Sequence, residues 1–311
     1  MKKSVFARSF AILLISCIFC SILSGCGSSS KSSSSEPPVY SPLRVLVPEA
    51  PGSDTLGSSP LTLDVSNITQ GYFVAQSDSA DLVTSLQITA PTGVLYAYFI
   101  DPGENAVIPF TEGNGDYTVV GYQQIQGDQY AALYSETLTV ELENEFLPFL
   151  YPNQYVNFSP DSEASKLALS MVSENTSDID ALKQIYNYVV NNLSYDYDKA
   201  ETVETGYLPD VDETLSTKTG ICFDYAALTT AMLRSCDIPC KLQIGYTGDI
   251  KHAWIDVYIR SKGWVTNAVS FNGDSWSLMD PTFDSSADSD DSEAIQDYIG
   301  NADNYTVQFT R

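Results

Sequence analysis

The sequence predicts an α+β protein built from a small all-β part followed by a mixed part of helices and strands. Two observations carry this. From Leu61 to Leu142 apolar and polar residues alternate, as in Leu61-Thr62-Leu63-Asp64-Val65 and again from Leu138 to Leu142. Turn signals interrupt the alternation at Pro91-Thr92-Gly93, Asp101-Pro102-Gly103, Gly113-Asn114-Gly115 and Gly127-Asp128. A period of two puts successive side chains on opposite faces of a strand, and short strands at this spacing stack into two sheets. Downstream the period changes. Ala164, Leu167, Ala168, Met171 and Val172 form one helical stripe, and Leu182, Ile185, Tyr186, Val189 and Leu193 form another. Ser177 with Asp180 three residues on has the pattern of a capping box.

Taken in order, the chain divides into residues 1–26, 27–60, 61–142, 143–160 and 161–311. In the first, Lys2, Lys3 and Arg8 precede an apolar run from Phe10 to Leu23, which is short for a membrane span and has the form of a secretory signal. The run ends in Leu23-Ser24-Gly25-Cys26, which resembles a bacterial lipobox, and that resemblance implies lipidation of Cys26 as the new N-terminus. The expected location is therefore the extracytoplasmic face of the cell membrane, held by lipid. Residues 27–60 are rich in Ser and Pro and form a tether without a core. Residues 61–142 are expected to be a β-sandwich of immunoglobulin-like kind. It carries no catalytic cluster, so it is either a spacer or a binding module. The prolines Pro148, Pro152 and Pro160 mark 143–160 as a linker.

Charge excludes some partners. The chain has 15 basic and 40 acidic residues and a net charge of −25. Removal of the signal takes away three positive charges and no negative ones, which leaves −28. Such a surface repels nucleic acid and anionic lipid, so membrane contact must come from the anchor. Of the six cysteines, Cys17 and Cys20 leave with the signal and Cys26 takes the lipid. An odd number remains outside the cytoplasm, which suggests a local disulfide between Cys236 and Cys240 and a free Cys222. Two cysteines and one histidine make a poor zinc set, and no metal or cofactor is expected. The acidic run from Asp284 to Glu293 lacks the glycine and ligand rhythm of a calcium loop.

The chemistry concentrates in 161–311. Cys222 follows Gly220-Ile221 and opens a run in which Tyr225, Leu228 and Met232 recur at helical spacing, with Ala227 and Ala231 beside them. That places the sulfur in the first turn of a helix, where free N–H groups and the positive dipole end favour thiolate. His252, the one histidine in the chain, opens an alternating strand and shares a face with Trp254, Asp256 and Tyr258. Asp280 closes a short strand from Trp276, and Pro281 ends it. A cysteine, a histidine and an aspartate so placed can act as nucleophile, base and orienter, with Asp256 as the alternative third member.

Gly220-Ile221-Cys222-Phe223-Asp224-Tyr225-Ala226, then His252-Ala253-Trp254, then Trp276 to Asp284, resemble in that order the core of the transglutaminase-like superfamily. The segment from Ile185 to Asp198 resembles the helix and Tyr-containing stretch that precede the cysteine there. The likeness covers about the C-terminal half of the chain. It implies a papain-like α+β fold, with Cys222 as nucleophile, His252 as base and Asp280 as third member. An extra hairpin-like piece from Arg260 to Asp274 departs from the pattern, so a substrate cleft does not transfer. The implied reaction attacks a peptide or carboxamide carbonyl through a thioester, followed by hydrolysis or amine transfer. Cell-surface location points to protein, peptide or cell-wall peptide as substrate. The Cys222 backbone N–H would hold the oxyanion, with Tyr197 as a candidate second donor; Tyr197 leads into a polar connection, Lys199 to Thr219, expected to be a cleft-edge loop. The other reading is a non-catalytic surface scaffold.

Overall fold

Eight strands come first: β1 (Thr55–Ser58), β2 (Leu61–Asp64), β3 (Tyr72–Ser77), β4 (Thr84–Thr89), β5 (Leu95–Ile100), β6 (Asn105–Pro109), β7 (Gly115–Gln126) and β8 (Gln129–Val140). The computed structural model describes residues 44–266, 269–271, 276–278 and 305–311. The signal, Cys26, Asp280 and the acidic run from Asp284 lie outside the described residues. The strands pair antiparallel in two four-stranded sheets, ordered β1-β2-β3-β6 and β5-β4-β7-β8. Alternation decides which side chains are buried. Along β5, Tyr96, Tyr98 and Ile100 are buried while Leu95, Ala97 and Phe99 are exposed. Leu61, Leu63 and Phe73 of one sheet share a single core with Leu86, Tyr98 and Val119 of the other. A β-rich region thus precedes the mixed part.

The connector at 143–160 is packed rather than loose. Phe146, Phe149, Leu150, Val156 and Phe158 are buried. Gln154 Nε2 donates to the Phe99 carbonyl at 2.6 Å and the Tyr155 hydroxyl to the Ala97 carbonyl at 3.3 Å. These side chains occupy acceptors on β5, an edge strand that would otherwise present them to another chain.

The mixed part holds α1 (Glu163–Met171), α2 (Asp178–Asn192), β9 (Ser194–Tyr195), α3 (Tyr197–Thr202), α4 (Val211–Thr217), β10 (Thr219–Gly220) and α5 (Cys222–Ser235). Then follow β11 (Cys240–Thr247), β12 (Ile250–Ile259), β13 (Gly263–Val265), β14 (Val269–Phe271), β15 (Trp276–Leu278) and β16 (Tyr305–Thr310). Both helical stripes become helices. At α2 the Ser177 side chain accepts the Asp180 N–H at 3.2 Å, but the Asp180 carboxylate takes the Ser177 hydroxyl at 2.7 Å. The connection from Lys199 to Thr219 contains two short helices where a loop was expected. Asp196 Oδ1 accepts the Lys199 N–H at 2.9 Å, and Asp210 Oδ1 accepts those of Asp212 and Glu213 at 3.0 and 2.9 Å. Each aspartate thus answers N–H groups that a helix start leaves unpaired.

A four-stranded antiparallel sheet, ordered β13-β12-β11-β16, packs against α5. Leu242, Ala253, Ile255 and Val257 from it meet Tyr225, Leu228, Ala231 and Met232 of α5 in one core. α5 is buried almost all round, with Ala226 and Ala231 letting α1, α2 and α4 approach. Truncating Leu228 to Ala in so enclosed a place would cost about 2–5 kcal/mol.

Candidate active site

Cys222 is the first residue of α5, half-buried and with a free thiol. Three constraints fix the chain just before it. β10 pairs in parallel with β9, Thr219 opposite Ser194 and Gly220 opposite Tyr195. The Asp196 N–H donates to the Gly220 carbonyl at 2.9 Å. Asp224, fully buried, accepts the Ile221 N–H at 2.8 Å. Gly220 is needed for this: a Cβ there would stand 2.6 Å from Asp224 Cβ. Ile221 offers no side-chain acceptor, so Asp224 supplies one half of a capping box and the first-turn N–H groups stay available.

Asp224 has two further partners. Lys199 Nζ lies 2.8 Å from Oδ2, and the Tyr207 hydroxyl makes a short hydrogen bond to Oδ1. Lys199 Nζ also donates to the Tyr207 oxygen at 2.7 Å and sits 4.4 Å from its ring centroid. Burial works against the Lys199 ammonium, yet its hydrogen bonds to Asp224 and Tyr207 outweigh that and lift its pKa. Burial, and then the bond to Asp224, push the Tyr207 phenol up to about 12. Phe223, on the other side of Cys222 in sequence, lies against Tyr155 and Tyr207 with ring centroids at 6.2 and 6.3 Å.

His252 is the third residue of β12 and only 5% exposed. Its ring runs nearly parallel to that of Trp254, 16° between planes and 6.2 Å between centroids, and lies 6.3 Å from Tyr305. Trp254 in turn meets Tyr305 edge-on at 5.1 Å. Gly245, opposite His252 on β11, admits this packing. A Cβ at Gly245 would come within 1.9 Å of the Thr306 carbonyl and 3.0 Å of the Trp254 ring.

The topology brings β11 and β12 back along α5. α5 runs for 14 residues, about 21 Å, away from Cys222. The chain turns at Asp237, where φ is +59°, and β11 comes back along the helix. From Cys240 to Gly245 it covers roughly 17 Å, which brings β12 to its first residues and His252. The aliphatic residues of β12 pack on α5, so the two elements bearing thiol and imidazole are held to one another by the core.

The other expected residues are distributed as follows. Asp280 lies outside the described residues. Asp256, the alternative third member, is buried and accepts from Gln243 Nε2 at 2.7 Å, while Thr310 donates to Gln243 Oε1 at 2.8 Å. Tyr197 begins α3, is 63% exposed, and packs edge-on against Tyr195 at 4.9 Å. The expected disulfide is a correction. Cys236 and Cys240 are both free and buried. Cys236 closes α5, whereas Cys240 has turned into β11 with its sulfur 3.5 Å from the Thr230 hydroxyl. Burial pushes each thiol up to about 12. Lys199 and Tyr207 carried no expectation from the sequence. Asp224 stood inside the cysteine motif without a role, although an acidic residue three positions after a helix cap is a readable signal.

Residues 165–281 match the family model of the Transglutaminase-like superfamily. The chain is 40% identical over 62 residues to a UPF0252 protein of Methanocaldococcus jannaschii, covering 18% of each chain. It is 24% identical over 183 residues to the uncharacterized protein YebA of Bacillus subtilis, covering 51% of this chain and 25% of that one. The chain thus spans a quarter or less of the length of these curated relatives. Among solved structures, the periplasmic domain of TgpA from Pseudomonas aeruginosa aligns over 82% of this chain and 99% of its own, at 13% identity and a TM-score of 0.35.

Proposed function

We propose, from the premise that residues 165–281 are a transglutaminase-like domain, that this protein is a cysteine acyl-transfer enzyme of the cell surface. The reading is supported by the packing of β11 and β12 along α5 in one core, within that same segment. The Cys222 thiolate attacks a peptide or carboxamide carbonyl, and the electron pair moves to oxygen. Imidazolium His252 then gives its proton to the leaving amine as the C–N bond breaks, which leaves a thioester. Water or a second amine attacks that thioester, loses its proton to His252, and expels the Cys222 thiolate, which restores the starting ion pair. Water yields a protease or amidase; an amine yields a crosslink. The Cys222 backbone N–H faces the developing oxyanion, with Tyr197 as second donor and Asp280 as the group that orients His252. The substrates are proteins, peptides or cell-wall peptides.

The β-rich region is read as an immunoglobulin-like sandwich that spaces the catalytic domain from the membrane. Cys26 carries the lipid that holds the protein there. Among the described residues no helix is long and apolar enough to cross a membrane.

The test is mass spectrometry of peptide and wall-fragment mixtures incubated with the protein, with and without an amine donor. Cys222→Ala and His252→Ala are each expected to lower turnover by at least about a thousandfold, and Asp280→Ala by less, because triad losses are strongly non-additive. Full turnover in Cys222→Ala would leave a non-catalytic scaffold as the reading. For the anchor, Cys26→Ala should move the protein out of the membrane fraction.

A further inference from the structure

The sheet β5-β4-β7-β8 gives one face to the core it shares with the other sheet, and its opposite face keeps aromatic rings in solvent. Phe99 on β5 is 52% exposed, and Tyr122 on β7 is half-buried. The register sets both opposite Ser85 of β4, one on each side, and Ser85 between them is buried. Tyr130 of β8 adds a third ring, edge-on to Phe99 with centroids 6.2 Å apart. Two residues along β4, Gln87 is exposed and its Oε1 accepts the Tyr122 hydroxyl at 3.3 Å, which leaves two amide N–H groups to donate. In the next row Thr89 stands opposite Thr118, and Thr118 opposite Thr137, all three exposed.

The charge of this face is what sets it apart. From the row of Phe99 to that of Thr89 it carries no Asp, Glu, Lys or Arg, on a chain of net charge −25. Asp116, the next residue of this face along β7, is engaged by the Thr139 hydroxyl at 2.7 Å. The neutral area measures about 14 Å along the strands and about 14 Å across them. Two carbonyls on the β5 edge are taken by Gln154 and Tyr155, which works against pairing of an extended peptide there. A ligand matched to such a face is uncharged, presents flat apolar surfaces to the rings, and offers many hydroxyls to the amide and the threonines. Sugar rings meet all three demands, since their axial C–H bonds make an apolar face and their hydroxyls lie around the rim. We propose that the outer face of this sheet binds an uncharged polysaccharide chain, with Phe99, Tyr122 and Tyr130 as stacking rings and Gln87 as a hydrogen-bonding contact. The face lies outside residues 165–281, so the proposal stands apart from the reaction at Cys222.

The experiment is affinity electrophoresis of the whole protein through native gels cast with dextran, mannan, hydroxyethylcellulose or glycol chitin, and with alginate as a polyanion. At least one of the neutral polymers should retard the wild type, and alginate should not. Phe99→Ser and Tyr122→Ala should each weaken the retardation about tenfold, as the loss of a principal contact does. Tyr122→Phe, which keeps the ring, should weaken it less than Tyr122→Ala. Gln87→Ala should weaken it by a few-fold, as the loss of one hydrogen bond does. If Tyr122→Ala does not fold, by circular dichroism, the exposed positions Phe99 and Gln87 still decide. No retardation by any of the neutral polymers overturns the proposal, as does equal retardation by alginate or a Phe99→Ser variant that runs like the wild type. Sedimentation velocity covers the remaining occupant. A wild-type dimer that Phe99→Ser dissociates would make this face an interface between copies of the chain, and the proposal would fail.

Discussion

Cys222 shares a side-chain type with Cys236 and Cys240 and differs from both in burial. The first is half-buried at a helix start; the other two are enclosed, and burial pushes their thiols up to about 12. In native protein at pH 7.5, alkylation should therefore mark Cys222 within minutes and reach Cys236 and Cys240 only after denaturation. Comparable labelling of all three in native protein would contradict the packing of α5 against β11. Asp237 offers a pH test of the same neighbourhood. Burial, aided by Asp178 and opposed by Arg260, raises its carboxyl to about 6. A raised acid pKa means that the folded state binds a proton more tightly than the unfolded one. The associated stability is present below the unfolded value near 3.9 and is lost as pH rises through about 6. Asp237→Asn, which also suits a φ of +59°, should then stabilise by about 1 kcal/mol at pH 7.5 and by almost nothing at pH 4. Thermal melts at the two pH values check it; equal shifts at both would show that the charge is not the cause.

At the scale of elements, the parts with strict periodicity were legible and the parts held by single polar side chains were not. The stripes at 164–172 and 182–193, the helix after Cys222 and the alternating strand at His252 follow from residue spacing alone. α3 and α4 were missed because their few turns carry no apolar stripe long enough to read, although Asp196 and Asp210 at their caps were visible signals. The Lys199–Asp224 pair spans 25 residues and has no local signature at all. Arg234 is the same kind of case. From the last turn of α5 it reaches the Cys240 carbonyl with Nε and Nη2 at 3.0 and 2.8 Å, the Tyr151 carbonyl at 2.7 Å and the Arg311 carbonyl at 2.9 Å. Burial brings its pKa down to about 10. This fork ties α5, β11, the connector and the end of β16, so Arg234→Met should cost about 3 kcal/mol by urea unfolding, the penalty for orphaned buried carbonyls. Arg234→Lys should recover little, because an ammonium cannot reproduce the planar fork.

For the molecule as a whole, the sequence suggested beads on a string, whereas the connector joins two cores. Tyr155 and Phe309 touch both of them. Arg311 lies over the rings of Tyr96, Tyr98 and Tyr155 at 4.6, 4.7 and 4.2 Å and donates to the Tyr98 hydroxyl at 2.7 Å. A pattern of prolines could mark the connector but not its burial, since that depends on which β-rich surface lies beneath it. Calorimetry should accordingly show one cooperative transition for the β-rich region and the mixed domain together. Proteases should spare 146–158 in the native state, because cleavage there requires opening both cores. Two resolved transitions, or early nicking within that stretch, would show that the two regions fold separately.

The parallel stack of His252 on Trp254 makes the candidate base visible to light. Protonated imidazole beside an indole quenches its emission, and Trp254, only 1% exposed, is shielded from solvent quenchers. With Trp264 and Trp276, the other two tryptophans, replaced by Phe, the remaining fluorescence should dim on acidification as His252 takes up its proton. His252→Gln should abolish that dependence. The protonation state of the proposed base could then be followed in real time.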